Sequence, residues 1–290
     1  MKYASHIVEG VKVMAKHRKP LPTPEEKAEK RQAQRLEKTK KIGLVLVAFA
    51  VLVAAFFTYS HFWGNPFSKM TAENNIEFHI IENYFSLDLD ISPIKYNRET
   101  GSFYAEATSK KSEDTHFFVY TKGSEVWDYY EDSVTKLFNT IERVENTFTE
   151  AAKTALVEKG LAKDDSYVVV AVLDFIKARE SGNFVIDMPV SADIQNDFVV
   201  YVELERETTV EAAAEALVEI KSVLDAAELP NIVLYNLTLV KDGKIFTAQN
   251  IPAEDIGTEK LVNDLSFALE NPSSSFGAAE DERPLRVSIR

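Results

Sequence analysis

The sequence predicts an α+β fold in which one N-terminal transmembrane helix precedes two small units of antiparallel hairpins packed against helices. Two observations predict it. Residues 42–63 contain no Asp, Glu, Lys or Arg, and the residues after them group into short strand-like runs separated by long helical segments. Strands and helices that occur in separate runs are typical of α+β folds. The predicted divisions are a tail (1–41), a transmembrane helix (42–63), two units (64–162 and 163–270) and a flexible C-terminal tail (271–290).

The charge-free segment is long enough to cross a membrane. As a helix it would measure about 33 Å, against about 30 Å for a hydrocarbon core. Its far end carries aromatic residues of the kind that settle at the membrane surface. The predicted anchor residues are Ile42, Leu44, Leu46, Phe49, Leu52, Phe56, Phe57, Tyr59 and Trp63.

Charge predicts the orientation of this helix. Residues 1–41 hold 12 Lys+Arg against 5 Asp+Glu, and Arg35, Lys38, Lys40 and Lys41 directly precede the apolar run. The positive-inside rule therefore puts the N-terminus in the cytoplasm and the remaining chain outside the plasma membrane. A cleaved signal peptide is the alternative, but an n-region of about 40 residues is too long for one. Residues 2–17 are expected either to form a basic amphipathic helix on the inner leaflet or to remain a solvated tail.

The composition of the external part excludes several classes of protein. Residues 64–290 carry 21 Lys+Arg against 41 Asp+Glu, which argues against a nucleic-acid partner. The chain has no cysteine, so a thiol nucleophile and a thiolate metal site are excluded.

In the first unit the pattern predicts a short helix, an antiparallel sheet and a long helix. The alternation of apolar and polar residues at 85–91 is typical of a half-buried strand. The predicted elements are a helix at 71–84, a strand at 85–91, a hairpin of 94–96 with 102–108, a strand at 115–121 and a helix at 125–159.

The predicted long helix has apolar residues spaced alternately by four and three. Such a heptad pattern suits either a helix laid across the sheet, which we favour, or a homodimer formed through helix 125–159. The positions are Tyr130, Val134, Leu137, Ile141, Val144, Phe148, Ala151 and Ala155.

The second unit repeats the order of helix, hairpin and helix, which leaves an internal duplication open. An Asp-Gly turn predicts its hairpin, and the alternating residues Leu285, Val287 and Ile289 could add an edge strand. The predicted elements are strands at 168–175, 184–186 and 198–204, a helix at 211–229, a hairpin of 232–240 with 244–249 and a helix at 258–269.

The run GNPFSKMTAENNIEFHIIENYF, followed by ISPIKYNRETGSFYAEATSKKSEDTHFFVY, resembles the YfjL-like membrane-anchored extracytoplasmic proteins of Gram-positive bacteria. The shared features are a Gly-Asn-Pro just after the membrane helix, a short helix and a Tyr-Asn…Gly-Ser-Phe-Tyr-Ala hairpin, and they cover about residues 64–150. The long basic tail departs from the short leaders of that group. The resemblance implies a fold and a location; because the family has no assigned activity, it implies no functional residue.

We find no motif for catalysis, for a cofactor or for a metal. The nearest candidate, Asp88 and Asp90, lacks the glycine that a calcium loop needs at its sixth position. Most aromatic residues of the strands are expected to form the core. Phe117 and Phe118 must nevertheless point to opposite faces of their strand, so one of these faces is a candidate contact surface. The predicted surface residues are Phe117, Tyr120 and Trp127.

These observations favour a non-enzymatic binding module at the cell envelope, held by the lipid bilayer and partnered by another envelope protein. A transmembrane regulator of the anti-sigma or division type, signalling through its cytoplasmic tail, is the first alternative. An envelope hydrolase is the second.

Overall fold

The computed structural model describes residues 23–227, 229–272 and 284–290. The chain divides into two units, one that ends at Pro66 and one that spans Phe67–Arg290. The helix predicted at 2–17 lies outside the described residues.

A single helix of 40 residues, α1 (Pro24–Trp63), makes up the described first unit almost completely. Thr23 caps its start: the Thr23 hydroxyl accepts from the Glu26 N–H, and the Glu26 carboxylate accepts from the Thr23 N–H. This reciprocal capping satisfies two of the N–H groups that a helix start leaves unpaired. The charged residues before position 42 and the apolar residues after it therefore belong to one continuous helix.

Helix α2 (Pro66–Tyr84) opens the second unit, five residues earlier than predicted. The strand predicted at 85–91 is wrong over its first half. Phe85–Leu87 is a 3₁₀ turn, and Asp88 adopts a left-handed conformation with φ of 52°. Because this conformation breaks an extended chain, only Leu89–Ile91 remains as strand β1.

The first sheet has five strands, and every pair in it is antiparallel. The strands after β1 are β2 (Lys95–Asn97), β3 (Ser102–Ser109), β4 (His116–Lys122) and β5 (Glu125–Asp128). The order of the sheet is β1-β3-β4-β5, with β2 paired to β3. The predicted hairpin and the strand after it are confirmed.

The helix predicted at 125–159 is wrong in its first part. Glu125–Asp128 pairs with β4 as β5, and Glu131–Thr135 forms one π-helical turn. Leu137 then has a positive φ of 63°, so the helix proper, α3, begins only at Phe138 and runs to Glu158. The regularly spaced apolar residues therefore do not share one helix. They lie in the π-helical turn, at the left-handed Leu137 and in α3.

The elements after α3 are β6 (Val168–Val172), α4 (Phe175–Glu180), β7 (Phe198–Leu204), α5 (Val210–Ala226), β8 (Ile232–Lys241), β9 (Lys244–Pro252), α6 (Leu261–Glu270) and β10 (Arg286–Ile289). The strands form a second sheet with the order β10-β9-β8-β7-β6. Its one parallel pair is β7 with β8, joined by helix α5, as a parallel connection requires. The first sheet has no such pair, so the two sheets differ in topology.

Several predictions for this half are confirmed, and three are wrong. The strand predicted at 168–175 ends at Val172, and Phe175 begins helix α4. The hairpin turn has positive φ at both Asp242 and Gly243, which is the reason that Asp-Gly suits it. Residues 184–186 form no strand; Phe184 is instead a buried anchor of a loop. The alternating residues near the C-terminus do form the edge strand β10, so the predicted flexible tail is wrong for residues 286–289.

Two hydrophobic cores hold this unit together. The smaller core lies between α2 and the first sheet, and the larger one lies between the second sheet and α3, α5 and α6. Ile141, Val144 and Phe148 of α3 are buried in the larger core. The helix therefore lies across a sheet, but the prediction that this is the sheet of the first unit is wrong, because its buried residues belong to the core of the second sheet. Ile141, Val144 and Phe148, which were proposed for a homodimer contact, are thus buried within the chain.

Candidate binding surface

One face of the first sheet carries a continuous group of aromatic side chains. Side chains alternate between the two faces of a strand, so Phe118 and Tyr120 of β4 share a face. Register places Tyr104 of β3 and Trp127 of β5 on either side of Tyr120. With Tyr129, which directly follows β5, these five residues are called the aromatic face below.

The centre of the aromatic face is a row of three stacked rings. The Tyr120 ring lies 5.4 Å from Tyr104 with an interplanar angle of 22°, and 5.7 Å from Trp127 with an angle of 11°. Tyr129 meets Tyr120 edge-on at 5.6 Å. Both faces of the Tyr120 ring thus contact other rings, so this ring offers a partner its edge and its hydroxyl rather than a flat platform.

The structure confirms part of the surface predicted from the sequence and corrects the rest. Tyr120 and Trp127 lie on the aromatic face. Phe117 is wrong as a surface residue: it is 1% exposed and packs in the smaller core, whereas its neighbour Phe118 is 41% exposed. Alternation alone shows that these two side chains diverge, but not which of them faces the core.

Tyr104, Phe118 and Tyr129 were not predicted as surface residues. Phe118 could have been predicted from its spacing of two residues from Tyr120, which puts both side chains on one face. Tyr104 could have been predicted from the strand register, which pairs it with Tyr120. Burial among these rings raises the pKa of the Tyr120 hydroxyl, with smaller contributions from Tyr129 and Tyr104. Tyr120 therefore remains a neutral hydrogen-bonding group at physiological pH.

A polar cluster on the opposite side of the sheet holds β5 in place. The Asp128 carboxylate accepts from His79 Nε2 at 2.6 Å and from the Tyr84 hydroxyl at 2.9 Å, and its other oxygen accepts from the Tyr130 N–H at 2.9 Å. Burial and the Asp128 carboxylate both raise the pKa of Tyr84, so its hydroxyl stays a donor. Trp127 therefore lies on a strand whose following residue, Asp128, is hydrogen-bonded to His79 and Tyr84 of α2.

A second polar cluster joins the β3–β4 loop to the second half of the unit. Asp114 is buried in this loop and receives hydrogen bonds from Arg143 of α3 and from the Asp187 N–H. Asn139 donates to the Asp114 and His116 carbonyls. An open groove of about 550 Å³ lies beside it, but the groups at its base already bond to one another. The cluster therefore has a structural role.

The side chains considered as metal ligands from the sequence are paired with other side chains in the structure. The His79 ring contacts Asp128 through Nε2 and the Asn83 amide through Nδ1, at 3.3 Å. Asp88 and Asp90, weighed as calcium ligands, pair instead with Lys110 and Lys111. Within residues 23–227, 229–272 and 284–290, no group of three His, Asp or Glu side chains is placed to hold a metal.

The described part of the chain contains one helix long and apolar enough to cross a membrane, judged by length and composition. That helix is α1, and none of its most apolar stretch is buried within the chain. All nine predicted anchor residues are exposed on it. Arg35, Lys38, Lys40 and Lys41 lie on the same helix, directly before the apolar part.

Comparison with known proteins finds a family match for residues 39–129. Residues 39–129 match the family model of the YfjL-like N-terminal domain. The match supports the resemblance to YfjL-like proteins. The match ends one residue after β5, so it includes the first sheet and all of the aromatic face.

A relative in Bacillus subtilis (strain 168), described as the uncharacterized protein YfjL, is 26% identical over 153 residues. The aligned region covers 51% of this chain and 61% of the relative, and thus less than two thirds of the relative's length. A Bacillus relative fits the Gram-positive lineage that the resemblance implies. No solved structure matches the chain.

Proposed function

We propose that this chain is a single-pass protein of the plasma membrane whose external part binds another envelope protein through the aromatic face. In this proposal residues 1–41 lie in the cytoplasm and residues 64–290 lie outside. The role is binding rather than catalysis. The observation that carries it is the stacked row Tyr104–Tyr120–Trp127 beside Phe118 and Tyr129, which remain 41% and 46% exposed.

The chemistry of the aromatic face favours a protein as its partner. Tyr and Trp are enriched among the residues that dominate protein–protein binding energy, because they combine a large apolar area with a polar tip and few rotatable bonds. The rings are already ordered by stacking, so little side-chain entropy is lost on binding. A flat ligand that stacks on ring faces is less well served, since both faces of Tyr120 are in contact with neighbours.

Support for the anchor comes from α1. Its 22 charge-free residues suffice to span a hydrocarbon core, and their exposure needs a nonaqueous environment. The basic residues before them favour a cytoplasmic N-terminus. Protease treatment of intact cells tests this orientation: an N-terminal tag should stay protected while a C-terminal tag is cleaved, and cleavage of the N-terminal tag would contradict it.

The binding proposal is tested by photo-crosslinking in cells. Benzoylphenylalanine replaces Phe118 in the full chain and, as a control, the exposed Val218 on α5. A defined protein adduct is expected at Phe118 and not at Val218. The adduct is identified by mass spectrometry, and the purified partner is bound to the full chain in nanodiscs.

The reconstituted pair then shows whether the aromatic face carries the affinity. Trp127→Ala should weaken binding by about thirtyfold, the effect typical of a residue that dominates an interface, and Val218→Ala should leave it unchanged. Equal adducts at both positions, or unchanged affinity in W127A, would contradict the proposal.

A further inference from the structure

Helix α2 has two apolar faces, and the smaller core uses only one of them. Ala72, Ile76 and Ile80, spaced by four, are buried against the first sheet. A second set of large apolar residues is 62% to 85% exposed: Met70, Phe78 and Ile81, followed by Phe85 in the adjoining 3₁₀ turn. These four residues are called the α2 stripe below.

The α2 stripe is narrow and lies opposite the buried face. At 100° per residue, Met70, Phe78 and Ile81 fall within an arc of about 80°, roughly on the far side of the helix from Ile76. Asn74 interrupts the stripe between Met70 and Phe78, but Phe78, Ile81 and Phe85 follow one another along one side of the chain. Scattered exposed apolar residues are normal on a protein surface, but large neighbouring ones mark a contact with something apolar.

The position of α2 in the chain indicates what covers the stripe. Only Gly64 and Asn65 separate its first residue, Pro66, from Trp63, the last residue of the proposed membrane helix. The three steps from Trp63 to Pro66 span at most about 11 Å, so α2 begins near the depth of the lipid headgroups. It is 19 residues long, or about 28 Å. Its far end can remain at that depth only if the helix lies parallel to the membrane.

We propose that α2 lies on the outer surface of the bilayer, with the α2 stripe inserted at the boundary between headgroups and acyl chains. Interfacial helices bury an apolar face to this depth while their polar residues face water. This inference rests on the proposed membrane anchor and adds a second, shallow membrane contact that holds the first sheet at the membrane surface.

Charges beside the stripe favour lipid over a second copy of the chain. Glu77 and Glu82 lie along opposite edges of the stripe, and both are exposed. Two copies packed stripe to stripe would bring these carboxylates together, and like charges oppose such contacts. In the membrane the same carboxylates can remain in the hydrated headgroup layer. Insertion should therefore depend on apolar contact and should be stronger in zwitterionic than in anionic lipid.

Site-directed spin labelling of the full chain tests this inference. Because the sequence has no cysteine, each single-cysteine variant takes one label. The variants Ile81→Cys and Glu82→Cys compare adjacent exposed residues on and beside the stripe. Leu46→Cys reports the anchor. Each is reconstituted in phosphatidylcholine nanodiscs, and label relaxation by oxygen, which partitions into lipid, is compared with relaxation by a water-soluble nickel chelate.

Labels at Leu46 and Ile81 should both relax more with oxygen than with nickel, with Ile81 at the shallower depth, and the label at Glu82 should show the reverse. Nickel access at Ile81 with lipid contact at Leu46 would overturn the inference and leave the anchor intact. Nickel access at both would overturn the anchor as well. Dipolar broadening between Ile81 labels would assign the stripe to a second copy, and protection from both reagents would assign it to another protein; either result overturns the inference.

Discussion

Arg143 donates hydrogen bonds from Nε and Nη2 to the two carboxylate oxygens of Asp114, at 2.6 and 2.9 Å. The pair joins the loop between two strands of the first sheet to helix α3, which packs in the other core. Asp114 is only 1% exposed, and Arg143 also donates to the Met188 carbonyl at 2.9 Å. This contact links the two halves of the unit Phe67–Arg290 by charge as well as by packing.

Removing Arg143 should destabilise the folded chain strongly. Loss of one partner of a buried ion pair leaves an uncompensated charge and costs about 3–5 kcal/mol. Arg143→Met is therefore expected to lower the free energy of unfolding by about that amount, measured by guanidinium denaturation in detergent. Arg206→Met, which removes a pair with the exposed Glu219, should cost less than about 1 kcal/mol. Equal costs for the two variants would contradict a structural role for the Asp114 pair.

The same pair predicts a dependence of stability on pH. Burial alone would raise the pKa of Asp114, but hydrogen bonds from Arg143 and the Asp187 N–H outweigh it and hold the pKa below its ordinary value of 3.8. A carboxyl with a lowered folded-state pKa contributes stability above its unfolded pKa and loses it as pH falls through the folded value. The difference in unfolding free energy between the chain and R143M should therefore shrink as pH falls below about 4. A difference that stays constant from pH 6 to pH 3 would contradict this assignment.

Adjacent phenylalanines on β4 provide a matched test of which face of the first sheet is buried. Phe117→Ala removes a side chain from the smaller core and should cost about 3–5 kcal/mol of unfolding free energy. Phe118→Ala changes a surface residue and should cost less than about 1 kcal/mol. Guanidinium denaturation in detergent measures both. A larger loss of unfolding free energy for F118A than for F117A would mean that Phe118, and not Phe117, faces the core.

Structural features that depend on residues close in sequence were predicted correctly. Features that depend on contacts between residues far apart in sequence were missed. The Asp242-Gly243 turn was correct because its backbone needs residues that accept positive φ. The helix predicted from residue 125 was wrong because Val126 and Trp127 pair with β4, a contact that apolar spacing does not report. Likewise, the charge-free stretch of α1 and its flanking charges follow from composition, whereas the exposure of the α2 stripe appears only when the opposite side of that helix is packed.

Core residues of α3 show the same limit. The heptad count assigned Ala151 and Ala155 to the buried face, but the buried residues are Ala152 and Leu156. A straight helix has 3.6 residues per turn, so a pattern read with a period of 3.5 drifts off the buried face within a few turns. The buried residues in the first half of α3 are therefore predicted correctly, and those in the second half are predicted one residue too early.

Glu145 of α3 should show the opposite pH dependence to Asp114. Burial raises the pKa of its carboxyl above 4.5; the hydrogen bond from the Val172 N–H, at 2.7 Å, lowers it less, and Glu142 adds a further increase. A carboxyl with a raised folded-state pKa favours the protonated form, so stability rises as pH falls through the folded value and levels off below the unfolded value.

Glu145→Gln isolates this effect because the amide keeps an oxygen that can accept from the Val172 N–H but carries no charge. The variant should unfold at a higher temperature than the parent chain at pH 7, and the gap should close as the pH approaches 4.5, measured by differential scanning calorimetry in detergent. Glu150→Gln, an exposed change on the same helix, should leave the profile unaltered. A variant E145Q that is less stable than the parent at pH 7 would show that the Glu145 charge stabilises the fold, contrary to the raised pKa.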